Sequence, residues 1–231
     1  MGKVLRGAQV ALTKLLIGRK LRRRVTLRRE FVTMGNPGAA WSLDVTGIGP
    51  SSVVYSFGIG EDISFDLELM RRTGAQVHAF DPTPKSLAWL KTQALPTGFH
   101  VHAYGLGVED GTLRAFLPAD ASHVSASPTR HGLSGEETVE LSVRSLGTIM
   151  RELGHARVDV LKMDIESGEY AVIARWCEGE LAVGQLLVEF HDRFETVGKA
   201  ATIDALARLR VAGYRVFSIS ERREEYALAR V

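Results

Sequence analysis

The stretch YSFGIGEDISFD, residues 55–66, runs from a Gly-x-Gly turn straight into carboxylates. Gly58 and Gly60 carry no β-carbon, so a ligand can come close to the backbone there. Glycine-rich turns that end a strand and open a helix often cradle phosphate. Here Glu61 and Asp62 stand on the rim of the turn. Carboxylates at about 4–6 Å would repel a phosphate and hold a cation. Asp62 has a structural alternative as a cap of the following helix. Asp66, one turn further on, reads as plain surface. Asp81 lies 23 positions beyond Gly58, where an acid can accept both ribose hydroxyls of an adenosine. Within DPTP it is equally a turn former. Ile63 occupies the third glycine position of G-x-G-x-x-G, which counts against a nicotinamide dinucleotide. A nucleoside with positive charge and no phosphate suits both observations. S-adenosylmethionine, with its ammonium and sulfonium, is such a molecule.

A second group of reactive side chains follows later in the chain. KMDIESGE supplies Asp164, Glu166 and Glu169, and VEFH supplies Glu189 and His191. Asp164 and His191 each follow an apolar run and could face one crevice, so both are candidate general bases. An imidazole has an ordinary pKa near 6.5, which suits that role. Its structural alternative is a strand-end histidine satisfied by a backbone carbonyl. Glu189 reads as a supporting partner. Asp164, Glu189 and His191 also form a carboxylate–imidazole set of the kind that binds Mg²⁺ or a transition metal. No close spacing enforces this, and no metal site is assigned. His100 and His102 alternate along one strand face and read as ordinary strand positions.

These residues need elements to position them. VVYSFG, AQVHAFD, FHVHAYGLG, VDVLKMD and QLLVEFH are short apolar runs that suit strands buried on both faces. Helical patterns lie in DISFDLELMRRTG (62–74), PKSLAWLKTQ, GTIMRELG, EYAVIARWCEG and AATIDALARLRVAG. This alternation predicts a doubly wound, mostly parallel sheet. Only ERREE joins YRVFSIS to EYALARV. That link is too short for a crossover, so the last strand must run antiparallel. A Rossmann-like sheet of seven strands with the last reversed is the layout expected of a class I methyltransferase. Ligands in such sheets sit beyond the carboxyl ends of the strands, where the residues named above fall. Residues 33–52 read as a loop-rich lead-in. VEDGTLRAFLP reads as a hairpin arm turning at Asp110-Gly111. The polar stretch 118–138 is the candidate for a substrate-facing lid, with His123, Ser125 and His131 available to an acceptor.

The 231 residues are 45% hydrophobic, enough for one sizeable core. They divide into a basic extension and lead-in at 1–50 and a catalytic domain at 51–231. A net charge of +2 gives no nucleic-acid footprint. The extension carries RKLRRRVTLRR and could touch an anionic membrane surface as an amphipathic helix, although a solvated tail accounts for it as well. No apolar run reaches the roughly 20 residues of a membrane span. A single cysteine, Cys177, excludes an intrachain disulfide and fits a reducing, cytoplasmic location.

VYSFGIGEDISFD, VHAFDPTP, YGLGVEDGT, VDVLKMDIESGEY and LLVEFH occur in the order and context of the FkbM-type methyltransferases, which residues 50–220 resemble. KMDIESGE is the most specific element, similar to K-x-D-x-E-G-x-E with Ser167 inserted before Gly168. The resemblance implies S-adenosylmethionine as cofactor and a hydroxyl of a sugar, glycolipid or natural product as methyl acceptor. It places Gly58, Gly60 and Asp81 at the cofactor and Asp164 and Glu166 along the site. With the residues argued above, the expected cofactor site is Ser56, Phe57, Gly58, Gly60, Glu61, Asp62, Asp81 and Pro82, and the expected catalytic group is Asp164, Glu166 and His191. Ser56 stands where many such sequences carry an acid, so either Glu61 or Asp62 takes the methionine ammonium or that end is bound through backbone carbonyls. The alternatives are a nicotinamide-dependent oxidoreductase and a non-catalytic domain that binds a nucleoside or a membrane.

Overall fold

The structure, a computed structural model, describes residues 24–120, 124–179 and 182–231. The basic run at the start of the chain, through residue 23, lies outside them, as does His123. Seven strands form the central sheet: β3 (Val53–Phe57), β4 (Gln76–Phe80), β5 (Phe99–His102), β9 (Val158–Met163), β10 (Val183–Glu189), β11 (Tyr214–Ile219) and β12 (Glu225–Arg230). Their order is β11-β12-β10-β9-β3-β4-β5. Strand β12 pairs antiparallel with both neighbours, whereas β10, β9, β3, β4 and β5 pair in parallel. The expected class I layout is therefore present, with the reversed strand inserted between β10 and β11.

Five helices accompany the strands: α1 (Ser64–Thr73), α2 (Pro84–Leu90), α3 (Leu146–Leu153), α4 (Glu169–Trp176) and α5 (Lys199–Val211). Alternate residues of each central strand enter opposite layers. Tyr55, Phe57, Leu161, Met163 and Phe190 pack on one face; Val54, Val160 and Leu187 pack on the other with Phe65 and Leu69 of α1. Every residue of β9 is buried. Buried polar side chains on such a strand must find partners, and Lys162 is one.

Three expectations need correction. Residues 33–52 are more than loop: β1 (Val32–Met34) and β2 (Trp41–Leu43) pair antiparallel and bury Met34, Trp41 and Leu43 in the core. A periodicity of three-residue strands is too short to register in sequence. The run FHVHAYGLG is two strands, not one: β5 joins the main sheet, while β6 (Gly105–Gly107) turns away into a second sheet. There β6 pairs in parallel with β8 (Ser134–Ser145), and β7 (Gly111–Pro118) pairs antiparallel with the other side of β8. Asp110-Gly111 thus joins β6 to β7 without making a hairpin, because the distant strand β8 lies between them. Only the end of the polar stretch 118–138 enters this arm, since β8 begins at Ser134. Among the described residues, no helix is long and apolar enough to cross a membrane.

Candidate active site

Strand order reverses beside β3: α1 carries the chain to β4 on one side, and β9 lies on the other. The ends of β3 and β9 adjoin, with Phe57 opposite Met163. Gly58 follows with φ +72, and a β-carbon there would lie 1.6 Å from the Asp164 carbonyl oxygen. The Gly58 N–H donates to the Phe80 carbonyl at 3.1 Å, and the Asp164 N–H donates to the Phe57 carbonyl at 3.2 Å. Gly58 is therefore the joint at which three strand ends close. The space that its missing β-carbon leaves is filled by protein, not by a ligand. Gly60 differs: φ is +54 and nothing lies within 4 Å of a β-carbon built there.

Two clefts share the Gly58–Ile59 and Asp164 wall. The first is mostly apolar, with Phe57, Gly60, Asp81, Pro82, Leu106 and Val143 among its lining. Asp81 is buried at its base. One carboxylate oxygen accepts the Gly60 N–H at 3.0 Å; the other accepts the Thr83 N–H at 2.8 Å and the Thr83 hydroxyl at 2.6 Å. Two oxygens offer about four acceptor positions, so three are taken by the chain. Room is left for one ribose hydroxyl, not the two expected.

The second cleft is acidic. Glu61, Asp62, Asp66, Asp164, Glu189 and Glu225 line it, with Lys162 as the one cation among its lining residues. Asp62 accepts the Ser64 N–H at 2.7 Å and the Asn36 side-chain amide at 3.0 Å. Burial opposes its charge, but these bonds and Lys162 hold the carboxyl below its usual pKa. Asp62 thus closes the turn just ahead of α1, whose N-cap position is Ile63 and has no side-chain cap. Glu61 is exposed on the rim. Asp66 is not surface: it is 1% exposed, and burial pushes its carboxyl up to about 6 against the pull of Lys162 and Ser56. Helical phase turns Asp66 inward with Phe65 and Leu69. Ser56 is fully buried beneath Asp66 and lines neither cleft, because its place on β3 points it into the layer under α1.

Lys162, inside the apolar run VDVLKMD, is a residue the sequence analysis passed over. It is buried, donates to the Gly58 carbonyl at 2.8 Å, and sits over the Trp41 ring at 5.2 Å. A lysine in a strand buried on both faces was the available signal. Glu169 was noted only as one more acid. It is fully buried in the first turn of α4, where a carboxylate is favoured by the helix dipole, and it shares the inward face with Val172 and Ile173.

Glu169 fixes His191. Its Oε1 accepts the His191 backbone N–H at 3.0 Å and lies 3.1 Å from His191 Nδ1. His191 is fully buried, and its Nε2 faces Glu166 at 3.3 Å, Glu189 at 3.5 Å and Asp164 at 3.6 Å without forming a hydrogen bond. Burial alone would lower its pKa. The bond to Glu169 and the charges of Glu169, Glu166 and Asp164 outweigh burial and hold it up at about 9. In this state the ring is protonated at neutral pH and has no lone pair for a base. Asp164 and Glu189 are both pushed up, first by desolvation and then by neighbouring carboxylates. A carboxylate so raised is the better proton acceptor. Glu166 and Ser167 have φ of +52 and +82, a region costly for residues with side chains. This turn directs Glu166 to His191, and Ser127 Oγ steadies it by donating to the Glu166 carbonyl at 2.9 Å.

The stretch expected as a lid lies against this region. Val124, Ser125, Ala126 and Pro128 line the first cleft, and Ser127 pairs with Phe116 through both backbone groups. His131 stacks on Phe194 at 3.8 Å between ring centroids, away from that lining. His100 and His102 stack with His78 on the sheet, as ordinary strand positions can.

A family model described as the methyltransferase FkbM domain matches residues 52–216. A probable methyltransferase-like protein 24 of Homo sapiens is 31% identical over 155 residues, 65% of this chain and 36% of that protein. The chain thus spans about a third of that relative. The 31-O-demethyl-FK506 methyltransferase FkbM of Streptomyces tacrolimicus is 25% identical over 197 residues, 72% of this chain and 74% of that protein. The METTL16 MTase domain aligns over 97% of this chain and 79% of its own at TM-score 0.44 and 13% identity, too distant to carry a functional assignment.

Proposed function

The chain belongs to the methyltransferase FkbM family, and from that premise we propose that it methylates a hydroxyl of a sugar, glycolipid or natural product with S-adenosylmethionine. One observation carries this reading: an apolar cleft with a ribose-type carboxylate meets an acidic cleft at the single wall of Gly58 and Asp164. A nucleoside fits the first by its apolar lining and the remaining acceptor position of Asp81. A cationic amino-acid end fits the second by charge, with Glu61 and Asp62 on its rim. A phosphate would meet six carboxylates there.

S-adenosylmethionine supplies a methyl group on a positively charged sulfur, ready for in-line displacement. The protein must orient the acceptor and take its proton. Asp164 is the proposed base, at the shared wall and with a raised carboxyl pKa. Glu166 receives an acceptor hydroxyl, and its strained turn limits where that hydroxyl can sit. The protonated His191 anchors both carboxylates rather than taking the proton itself. The natural product named for the Streptomyces relative supports an oxygen acceptor.

Calorimetric titration tests the cofactor: S-adenosylmethionine should bind and NADH or NADPH should not. The reverse result would sink the proposal. The acceptor is sought by mass spectrometry of glycans and metabolites from cells with and without the protein, as a methyl group lost from one species.

A further inference from the structure

We propose that Asp164, Glu166 and His191 form a binding site for a divalent transition-metal ion, with Mn²⁺ and Zn²⁺ the candidates that fit one imidazole and two carboxylates. One ligand atom from each lies within 4.8 Å of the others. His191 Nε2 is 3.3 Å from Glu166 Oε2 and 3.6 Å from Asp164 Oδ1. Those separations are long for hydrogen bonds. They are the separations of neighbouring donors around an ion with bonds of about 2.0–2.2 Å. The carboxylates alone would be an ordinary acidic cluster. The independent observation is His191: its side chain is fully buried, and Nε2 is aimed into the cluster with no hydrogen bond.

The orientation of that ring is built in. Glu169, itself fully buried, holds Nδ1 at 3.1 Å and the backbone N–H at 3.0 Å. Metal-ligating histidines are held in the same way, with the second nitrogen donating to a carboxylate, and an ion arriving at Nε2 displaces the proton this nitrogen carries in the metal-free chain. Nearby cations are committed elsewhere. Lys162 donates to the Gly58 carbonyl at 2.8 Å, and Arg193 pairs with Glu189 at 3.1 Å and Glu224 at 3.4 Å. The three ligands also leave a way in, since the Asp164 and Glu166 side chains are 28% and 17% exposed. One imidazole and two carboxylates suit Mn²⁺ or Zn²⁺ better than Mg²⁺ or Ca²⁺, which prefer oxygen alone, and better than copper(I), which prefers sulfur. Asp164 Oδ1 faces the ion, so Oδ2 stays available to an acceptor proton.

The binding claim does not depend on methyl transfer and is tested without cofactor or acceptor. Untagged full chain, stripped with EDTA and returned to chelator-free buffer, is titrated with MnCl₂. Binding is followed by calorimetry and by loss of the free Mn²⁺ paramagnetic resonance signal. One ion per chain is expected. Glu166→Gln and His191→Ala should each weaken binding at least tenfold, and Glu169→Gln by about 10–100-fold. Glu224→Gln, in the adjoining all-carboxylate group of Glu189, Glu224 and Glu225, changes a residue that gives the site no ligand atom and should bind as wild type does. If His191→Ala fails to fold by circular dichroism, Glu166→Gln decides. Nitrogen hyperfine coupling to bound Mn²⁺ in the wild type then reports the imidazole directly. Absence of stoichiometric binding of both Mn²⁺ and Zn²⁺ by folded wild type would overturn the site. So would unchanged binding in folded Glu166→Gln, or a bound ion without nitrogen coupling.

Discussion

Asp81 and Glu169 show how a buried carboxylate does two different jobs. Asp81 was visible by its distance from the glycine turn, and the structure adds three internal hydrogen bonds to it. Those bonds shape the turn at Gly60, so Asp81→Ala removes a ribose acceptor and the support of its neighbour together. Affinity for S-adenosylmethionine should fall by about tenfold or more, measured by calorimetry. Undiminished affinity would remove Asp81 from the cofactor site. Glu169 is different. Its worth comes from burial beside His191, which no spacing reveals. Truncation to alanine leaves a buried imidazolium and a backbone N–H without their acceptor. Glu169→Ala should cost about 3–5 kcal/mol in urea unfolding, and Glu169→Gln, which keeps an acceptor oxygen, clearly less.

The elements matter most where their ends meet. Gly58 and Gly60 look equivalent in SFGIGED, yet the strand ends separate them. At Gly58 a β-carbon would overlap the Asp164 carbonyl, whereas at Gly60 it would point into open space. Gly58→Ala should therefore lose more than about 3 kcal/mol or fail to fold. Gly60→Ala should lose only about 1 kcal/mol while obstructing the cofactor cleft. Melting temperature and cofactor titration on the pair would show it; equal stability of the two variants would contradict the assignment of Gly58 as the joint. The strands and helices of the main sheet were legible because their apolar runs are long and punctuated by turn residues. The arm of β6, β7 and β8 was not. Its register depends on a strand more than twenty residues away, and the Asp110-Gly111 turn looks like a hairpin unless β8 is known to lie between its arms.

Across the whole molecule, charge is distributed unevenly between two sheet regions. Carboxylates gather at the ends of β3, β9 and β10, whereas His78, His100, His102 and His155 cluster around β4 and β5. Burial, reinforced by the neighbouring histidines, lowers the His78 pKa to about 3 and the His102 pKa to about 4. The unfolded chain takes up protons below about pH 6.5, and the folded chain does so only near those lower values. Stability should therefore be full above pH 6.5 and fall as pH drops toward 4. His78→Gln should flatten that decline in a series of thermal melts, and an unaltered acid limb would refute the role of the cluster. Asp66 acts with the opposite sign. Its raised pKa of about 6 means that the folded chain holds a proton the unfolded one releases, so this contribution is lost as pH rises through 6.

From the sequence alone came the alternating sheet, the reversed last strand, the rim acids and the place of Gly58, Gly60, Asp81, Asp164 and His191 beyond strand ends. These follow from local patterns: period, turn residues and link length. The tertiary structure decided what cannot be local. It filled the gap at Gly58 with the Asp164 carbonyl, left Ser56 beneath the site, and drew Asp66 and Lys162 into the interior. It also set Glu169 behind His191 and Nε2 before the carboxylates. Burial and the meeting of distant strand ends determine which carboxylate stays charged, which one supports another residue, and which faces a ligand. SFGIGEDISFD names the acids, and only the packed sheet sorts them.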